Sequence, residues 1–407
     1  MTEYGLLGET LGHSFSPELH KALAGYDYAL LPTPRDAVEE LLRKREFRGL
    51  NVTIPYKQTV ISLCDEVEPR ALSIGAVNTI VNRNGRLFGY NTDIDGFRYM
   101  AKRAAVNLSG KKVLILGSGG TSRTVLTAAG ELNAAEIIVI SRSGENNYEN
   151  ISRHWDAEVI INTTPVGMYP NCGESPVDLT LFPRLTGVLD VVYNPLRTAL
   201  IRQAETLGIP CSAGLPMLAA QAWRAAELFT GSIIPPLRME AVLAALTRRL
   251  ENIVLIGMPG CGKTTVGAML AASMGREFLD IDSMIEEQAG KSIPSIFTED
   301  GETAFRTMES DCIRTAGART GCVIATGGGA VTREDNYAPL HQNGIIVHLT
   351  RPIDLLPTNG RPISQGTDRE ILWHQRKPLY ERFADCTVGN TAAPEDTVER
   401  IRKELNL

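Results

Sequence analysis

The sequence is poor in the features that mark membrane, secreted and nucleic-acid-binding proteins. No apolar run approaches the roughly 20 residues that a membrane-spanning helix needs, and the first residues show neither a basic leader nor an apolar signal segment. The formal net charge of −6 disfavours nucleic acid and anionic membranes as partners. The 7 cysteines stand apart, without a Cys-x-x-Cys pair, which argues against disulfides and zinc. We therefore expect a cytoplasmic protein that acts on small molecules. The composition leaves monomer and homodimer both open.

What the sequence does contain is a regular alternation of short strands and helices. A chain of 407 residues is too long for one ordinary core, and 43% hydrophobic with 22% charged residues is the balance of globular domains. Apolar segments such as 113–116, 278–280 and 323–325 alternate with helical patterns, which predicts α/β domains with parallel sheets. Residues 248–251 contain no Gly, Pro or Ser, so we expect a short, stiff joint before residue 252.

A glycine-rich turn follows the apolar strand 253–256 and leads into a helical pattern, at the spacing of a phosphate-binding P-loop. Backbone N–H groups of such a loop can surround phosphate oxygens at the helix N-terminus. Lys263 would contact the outer phosphates, and the Thr264 hydroxyl would ligate Mg²⁺. An ordinary strand–turn–helix with chance glycines is disfavoured, because strand and helix are both in place. The candidate nucleotide contacts are Gly257, Gly260, Gly262, Lys263, Thr264 and Thr265.

Two carboxylates follow the next strand. Asp280 and Asp282, at i and i+2 on a strand end, point to the same side. One can steady Mg²⁺ through water while the other faces an acceptor hydroxyl. An N-capping aspartate beside a surface aspartate is an equally plausible alternative. Beside a P-loop, the separated Arg306, Arg361 and Arg376 would suit an anionic acceptor and the charge that spreads during phosphoryl transfer.

A second glycine-rich turn lies earlier in the chain, again between a strand and a helix. Gly117-x-Gly119-Gly120 is similar to a dinucleotide-binding fingerprint, although a serine replaces its third glycine. About twenty residues later, where the ribose partner is expected, stand Ser141 and Arg142. An arginine there suits the 2′-phosphate of NADP rather than the 2′-hydroxyl of NAD. A solvated surface arginine is the alternative.

A lysine and an aspartate in the first quarter of the chain are candidate proton-transfer groups. Removal of a hydride from an alcohol carbon requires loss of the hydroxyl proton, and therefore a base. A lysine can serve when a carboxylate and partial burial tune it. Lys57 and Asp93 could form such a coupled pair. From spacing alone, a surface salt bridge is the better explanation.

Residues 3–250 as a whole resemble shikimate dehydrogenase, with the matching stretches in that family's order. These stretches are Ser14-Phe15-Ser16-Pro17, 51–57, 75–79, 91–93, 117–121, 162–168, 190–195 and 214–221. The resemblance implies two α/β domains with a cleft between them. Residues 1–103 and 214–250 would form the substrate-binding and catalytic domain, and residues 104–213 a Rossmann-like NADP-binding domain.

The same resemblance implies roles for individual residues. Lys57 and Asp93 become the catalytic pair. Shikimate would be held by Ser14, Ser16, Thr53, Asn78, Asp93 and Gln221, with Tyr193 at the substrate edge. The cofactor would be surrounded by Gly117, Gly119, Gly120, Thr121, Ser141, Arg142, Thr163 and Met217. One departure from the family is a short segment between Ser143 and Ala157, where residues 144–147 indicate a turn instead of a helix. Cofactor binding is still expected.

Residues 252–405 resemble shikimate kinase, which implies a P-loop α/β domain over 252–407. The resemblance assigns Lys263 and Thr264 to ATP and Mg²⁺, Asp280 to the metal through water, and Asp282 to the acceptor hydroxyl as base. Shikimate would be held by Arg306, Glu309, Gly327, Gly328, Gly329 and Arg376, with Arg361 in a mobile lid. The second lid arginine that the family often carries is absent from 354–360.

The two resemblances name consecutive steps of aromatic amino-acid biosynthesis. We therefore predict a bifunctional α/β enzyme that reduces 3-dehydroshikimate with NADPH and then phosphorylates shikimate with MgATP. A quinate/shikimate dehydrogenase using NAD is disfavoured by Arg142. An active kinase carrying a catalytically weak or inactive dehydrogenase half, kept as a scaffold or sensing module, is motivated by the short segment 143–157 but opposed by Lys57 and Asp93. A P-loop GTPase is disfavoured because no Asn-Lys-x-Asp signature is present.

Overall fold

The computed structural model describes residues 3–12, 14–356 and 369–407. The chain forms two compact units. The first consists of Met1–Met168, Glu174–Asn194 and Leu200–Ala245, and the second of Tyr169–Gly173, Pro195–Ala199 and Leu246–Leu407. Among the helices of the described residues, none is both long and apolar enough to cross a membrane.

A six-stranded sheet occupies the N-terminal part of the first unit. Its strands are β1 (Tyr4–Gly8), β2 (Ala29–Pro32), β3 (Gly49–Val52), β4 (Glu66–Val67), β5 (Thr79–Arg83) and β6 (Arg86–Tyr90), in the order β2-β1-β3-β5-β6-β4. The helices of this part are α1 (Ser16–Ala24), α2 (Arg35–Lys44), α3 (Pro69–Ile74) and α4 (Asp93–Arg103). Strand β5 is antiparallel to both of its neighbours, so this sheet is mixed.

A fully parallel five-stranded sheet follows in the same unit. It contains β7 (Lys112–Leu116), β8 (Glu136–Ile140), β9 (Val159–Asn162), β10 (Gly187–Asp190) and β11 (Cys211–Ser212), in the order β11-β10-β9-β7-β8. The helices that follow are α5 (Gly120–Glu131), α6 (Ala199–Thr206), α7 (Leu215–Thr230) and α8 (Pro236–Leu250). The apolar run 113–116 is fully buried in β7, as expected for a strand covered on both faces.

Helices α4 and α7 pack closely, because a glycine lies where they touch. A Cβ on Gly96 would come within 2.5 Å of the Met217 carbonyl oxygen. The contact holds the first turn of α4, which starts at Asp93, next to the segment of α7 that carries Met217 and Gln221. Gly96 therefore lets the two helices approach closely enough to bring Asp93, Met217 and Gln221 near one another.

The second unit contains another parallel five-stranded sheet. Its strands are β12 (Asn252–Ile256), β13 (Phe278–Asp280), β14 (Val323–Ala325), β15 (Gly344–Thr350) and β16 (Cys386–Gly389), in the order β13-β14-β12-β15-β16. Its helices are α9 (Lys263–Met274), α10 (Ile281–Ala289), α11 (Ile293–Glu299), α12 (Gly301–Gly317), α13 (Tyr337–His341), α14 (Arg369–Phe383) and α15 (Pro394–Glu404). Polar loops at the carboxyl ends of neighbouring strands meet at one edge of such a sheet, where ligands bind in open α/β folds.

The predicted α/β class with parallel sheets is confirmed. The joint before β12 is short as predicted, since Glu251 alone separates α8 from β12, and its stiffness stays a prediction. The division of residues 1–250 into two domains at the boundaries given above stays a prediction.

Candidate active sites

The first unit contains a cavity of about 260 Å³ that collects every side chain predicted to bind shikimate. Loops after β1 and β3, the start of α4, the segment after β10 and helix α7 supply its walls. The predicted residues that line it are Ser14, Ser16, Thr53, Lys57, Asn78, Asp93, Tyr193 and Gln221, joined by Thr121 and Met217 from the predicted cofactor set.

Lys57 and Asp93 form an ion pair in this cavity. The Lys57 ammonium donates a hydrogen bond to Asp93 Oδ2 over 2.7 Å, and the two side chains are 29% and 19% exposed. Partial burial keeps the pair from being the freely solvated surface bridge that spacing alone favoured. A lysine that lies beside a carboxylate and faces a cavity can exchange a proton with a bound hydroxyl or carbonyl group.

A buried hydrogen-bond network fixes the floor beneath this pair. Asn78 Oδ1 accepts from the Thr92 backbone N–H at 2.7 Å, one residue before Asp93. Asn51 donates to Thr79 Oγ1 at 3.0 Å and accepts from the Tyr28 hydroxyl at 2.7 Å. Asn51 also lines the cavity, yet sequence reasoning gave it no role. Its place at the end of a strand, six residues before Lys57, was the available signal.

The predicted cofactor loop joins β7 to α5. Gly117 has φ 104°, and a Cβ there would come within 2.9 Å of Thr163 Oγ1, so this turn requires glycine. The Thr163 hydroxyl donates to the Leu116 carbonyl oxygen at 2.7 Å, which ties the two strand ends together. Helix α5 begins at Gly120, and its N-terminus suits the pyrophosphate of a dinucleotide.

Arg142 lies exposed just beyond the end of β8, where the ribose end of a dinucleotide is expected. The Ser141 N–H donates to the Asn146 carbonyl oxygen at 3.1 Å, so the chain turns back sharply here. Residues 141–150 contain bends and turns and no helix, as predicted for this shortened segment. Burial raises the pKa of Tyr148, and the nearby Arg142 charge partly offsets the increase.

The second unit contains a larger cavity of about 490 Å³, again lined by predicted residues. These are Gly260, Gly262, Lys263, Thr264, Thr265, Asp282, Arg306, Glu309, Gly327, Gly328, Gly329 and Arg376. Gly257 opens the loop with φ 145° but does not line the cavity. The predicted lid residue Arg361 lies outside the described residues.

The P-loop is arranged for phosphate and magnesium. Lys263 Nζ donates to the carbonyl oxygens of Gly257 and Met258 at 2.9 and 3.1 Å. The Thr264 hydroxyl donates to Asp280 Oδ2 at 2.7 Å. These two oxygen groups fit Mg²⁺, which usually takes one or two protein groups and completes its shell with phosphate and water. The described residues contain no cluster of three or more His, Cys, Asp or Glu side chains that could hold an ion by themselves.

The two aspartates were predicted to share a strand end, but only Asp280 ends β13, whereas Asp282 lies in the first turn of α10. Asp280 Oδ1 accepts from the Asp282 N–H at 3.0 Å and caps α10, so the N-cap alternative holds for Asp280 in addition to its contact with Thr264. Asp282 is half-buried and lines the cavity. A Cβ on Gly327 would come within 3.0 Å of Asp282 Oδ1. This carboxylate therefore faces the glycine loop, where an acceptor hydroxyl would lie.

Arg306 and Glu309 are paired on one face of α12. Arg306 donates to Glu309 Oε2 at 2.7 Å, while the buried Oε1 has no hydrogen-bond partner among the described residues. Burial raises the pKa of Glu309, and the Arg306 charge acts in the opposite direction. A Cβ on Gly327 would come within 2.5 Å of this unpartnered oxygen. The cavity thus presents both a cation and a free carboxylate oxygen to a polar ligand.

Gly328 is fixed from two sides. Its carbonyl oxygen accepts from the Tyr380 hydroxyl at 2.6 Å and from Arg376 at 2.9 Å. A Cβ on Gly328 would come within 2.5 Å of the Pro259 ring, so the P-loop lies directly against it. Because a trans peptide points its C=O and the next N–H in opposite directions, these contacts orient the Gly329 N–H. Sequence reasoning missed Tyr380, although it follows Arg376 by one helical turn.

Two further parts of this cavity were missed by sequence reasoning. One is an apolar wall, whose spacing resembles ordinary helix core, formed by Ile293, Pro294, Phe297 and Phe305. The other is Arg351, which directly follows β15 and stands in no recognised motif.

Comparison with known proteins finds the same two families in the same order. Residues 6–80 match the family model of the shikimate dehydrogenase substrate binding domain, and residues 259–406 match that of shikimate kinase. A shikimate dehydrogenase (NADP(+)) from Clostridium perfringens (strain SM101 / Type A) is 36% identical over 252 residues, which cover 57% of this chain and 93% of that protein.

Solved structures give a similar result for the first part of the chain. The crystal structure of a chorismate mutase/shikimate 5-dehydrogenase fusion protein from Clostridium acetobutylicum is 34% identical with a TM-score of 0.58, and the match covers 60% of this chain and 97% of that one. A shikimate 5-dehydrogenase from Thermus thermophilus in complex with NADP(H) and shikimate is 34% identical with a TM-score of 0.55, over 60% of this chain and 99% of that one. The predicted fold class and both resemblances are confirmed.

Proposed function

The chain belongs to the shikimate dehydrogenase family in its first part and carries a shikimate kinase domain in its last, and we propose that it catalyses two consecutive reactions of the shikimate pathway. The first is reduction of 3-dehydroshikimate to shikimate with NADPH. The second is phosphorylation of shikimate to shikimate 3-phosphate with MgATP. The observation that carries this proposal is that each unit has its own cavity, lined by the residues predicted to bind the substrate of its reaction and to transfer its proton.

In the dehydrogenase reaction, bound NADPH supplies the hydride to the substrate carbonyl carbon. Lys57 delivers a proton to the carbonyl oxygen, which becomes the new hydroxyl group. Asp93 holds the Lys57 ammonium at 2.7 Å and keeps it directed into the cavity. Ser14, Ser16 and the other polar groups around the pair hold the hydroxyl and carboxylate groups of the substrate, which provides orientation.

NADPH is the cofactor that the residues around β7 and β8 favour. The Gly117 turn and the N-terminus of α5 suit the pyrophosphate, and the exposed Arg142 after β8 suits a 2′-phosphate. The chain turns back sharply at Ser141, which shortens the segment near the expected adenosine end of the cofactor. The Gly117 turn and Arg142 are both retained. This support for NADPH disfavours an NAD-dependent quinate/shikimate dehydrogenase.

In the kinase reaction, bound MgATP supplies the phosphoryl group. Asp282 accepts the proton of the attacking shikimate hydroxyl, and Lys263 neutralises charge on the outer phosphates. Thr264 and Asp280 would hold the magnesium ion, Asp280 through water. Arg306 and Arg376 bind the shikimate carboxylate, while Glu309 and the Gly327–Gly329 backbone bind its hydroxyl groups. Positioning and charge stabilisation are the main contributions of protein residues to such a transfer.

Separate assays of the two activities, made with variants of each site, test this proposal. NADPH absorbance is followed with 3-dehydroshikimate, and ADP release is followed with shikimate. Lys57→Met should lower the first activity by about 10²–10⁴-fold and leave the second unchanged, because only one proton-transfer group is lost. Asp282→Asn should do the reverse. Failure of the wild-type protein to oxidise NADPH, with normal ADP release, would instead favour the alternative of an active kinase with an inactive dehydrogenase module.

A further inference from the structure

Arg351 emerges beside the P-loop on the side away from the proposed acceptor site. Strand β12, which leads into the P-loop, lies between β14 and β15 in the sheet. The glycines after β14 are proposed to hold the acceptor, whereas Arg351 directly follows β15. The end of β15 also lies against the start of the loop, since a Cβ on Gly257 would clash with the Leu349 carbonyl oxygen. Arg351 therefore approaches the nucleotide side of the cavity that it lines.

The Arg351 side chain is poorly satisfied without a ligand. Its Nε is buried and has no hydrogen-bond partner among the described residues. The other two arginines of the cavity are engaged, since Arg306 donates to Glu309 and Arg376 donates to the Gly328 carbonyl oxygen. A buried charged donor without a partner destabilises the folded protein. A purely structural arginine would be expected to have a carbonyl or carboxylate oxygen at this atom.

We propose that Arg351 binds phosphate oxygens of the nucleotide, which rests on the kinase function proposed above. Lys263 and Arg351 would then contact the phosphate chain from two directions, one as a point charge and the other as a planar fork of donors. A guanidinium matches phosphate oxygens in this way and is less strongly hydrated than an ammonium group. The phosphates would supply the acceptor atoms that the buried Nε lacks.

Calorimetric ADP titration and thermal unfolding of Arg351→Gln test the assignment, because glutamine keeps most of the length and removes the charge. The Kd of ADP should rise by about tenfold, as for loss of one charge-assisted contact. The KM of shikimate should change by less than about twofold, which is small compared with the change expected in the Kd of ADP. The unfolding midpoint without ligand should stay equal or rise, and the stabilisation that ADP gives should fall. If Arg351 had a purely structural role, Arg351→Gln would instead lower the unfolding midpoint of the ligand-free protein.

Two further variants sharpen the result. Arg351→Lys, which keeps the charge but not the fork, should give an intermediate Kd. Arg314→Gln removes the same charge from an exposed position of the same unit and should leave the Kd unchanged. Either an unchanged Kd of ADP in both Arg351 variants or a lower unfolding midpoint of ligand-free Arg351→Gln would overturn the role of Arg351. The proposed kinase function would not be affected by these outcomes. Absence of ADP binding by the wild-type protein would overturn the kinase function and this assignment with it.

Discussion

Lys57 Nζ lies 2.7 Å from Asp93 Oδ2, although the two residues come from different elements, the loop after β3 and the first turn of α4. A pair that acts as one unit should respond non-additively to mutation. Lys57→Met and Asp93→Asn should each lower the turnover number for 3-dehydroshikimate by about 10²–10⁴-fold, and the double variant should be little worse than the worse single variant. Steady-state kinetics of the three proteins give the answer. Multiplicative losses would mean that the two residues act independently.

Arg142 should determine the preference between NADPH and NADH. Loss of its contact with the 2′-phosphate should raise the KM of NADPH by roughly 10–100-fold, the range for one charge-assisted hydrogen bond, and change that of NADH little. Arg142→Gln is the variant, and Arg153→Gln serves as a control with the same charge change at another exposed position of this unit. Equal effects on both cofactors would remove the main support for NADPH.

Asp280 should control the magnesium requirement of the kinase. Asp280→Asn retains an effective N-cap for α10 but removes the negative charge next to Thr264. The Mg²⁺ concentration for half-maximal kinase activity should therefore rise, by about tenfold or more, while binding of metal-free ADP stays the same. Activity titrations with Mg²⁺ at saturating ATP measure the shift. An unaltered magnesium requirement would exclude Asp280 as a metal partner.

The Tyr380 hydroxyl should affect acceptor binding through Gly328. Tyr380→Phe keeps the buried ring, which stacks on His348 at 4.8 Å, and removes the donor to the Gly328 carbonyl oxygen. The KM of shikimate should rise about 3–10-fold, as expected for one neutral hydrogen bond, whereas the KM of ATP should remain close to the wild-type value. Tyr337→Phe, made in the same unit, is the matched control. A parallel rise of both KM values would indicate general loosening of the site.

His348 should make the second unit sensitive to acid. Burial, assisted by the Lys263 charge, lowers the pKa of His348 from 6.5 to about 4. The folded state therefore binds fewer protons than the unfolded state between these values. Its stabilising contribution is complete above pH 6.5 and is lost progressively as pH falls towards 4. At pH 5 the loss is about 2 kcal/mol.

His348→Phe removes this dependence and keeps a ring against Tyr380. Between pH 7 and pH 5 its free energy of unfolding should fall by about 2 kcal/mol less than that of the wild-type protein. Denaturant unfolding at the two pH values makes the comparison. Equal pH dependence in both proteins would show that His348 does not titrate as a buried neutral group.

Local sequence was sufficient for the parts of the sites that depend on short motifs. The P-loop and Asp282 closely follow strands of a parallel sheet, where polar groups gather, Lys57 lies in the loop after β3, and the structure places all of them in cavities. Tyr380 and Arg351 could not be found in that way. Their importance depends on which backbone atom or open space lies opposite them, and this is set by tertiary packing. Tyr380 occupies a helix position that would ordinarily belong to the core.

The same limit explains the two readings of Lys57 and of Asp280. Spacing could not decide whether Lys57 forms an exposed salt bridge, since its burial depends on tertiary packing. Spacing also set N-capping against magnesium binding for Asp280, yet one carboxylate has two oxygens and the structure uses each differently. The roles of these residues in catalysis stay predictions until variants are measured.

Formation of shikimate 3-phosphate from 3-dehydroshikimate by the single polypeptide shows directly whether one chain catalyses both reactions. Purified protein is incubated with 3-dehydroshikimate, NADPH, ATP and Mg²⁺, and shikimate 3-phosphate is measured by phosphorus NMR together with NADPH consumption. We expect the phosphorylated product to form only when NADPH is present, and the Lys57→Met protein to form it only when shikimate is added. Absence of NADPH-dependent product in the wild-type protein, while added shikimate is phosphorylated normally, would show that the chain does not catalyse both steps.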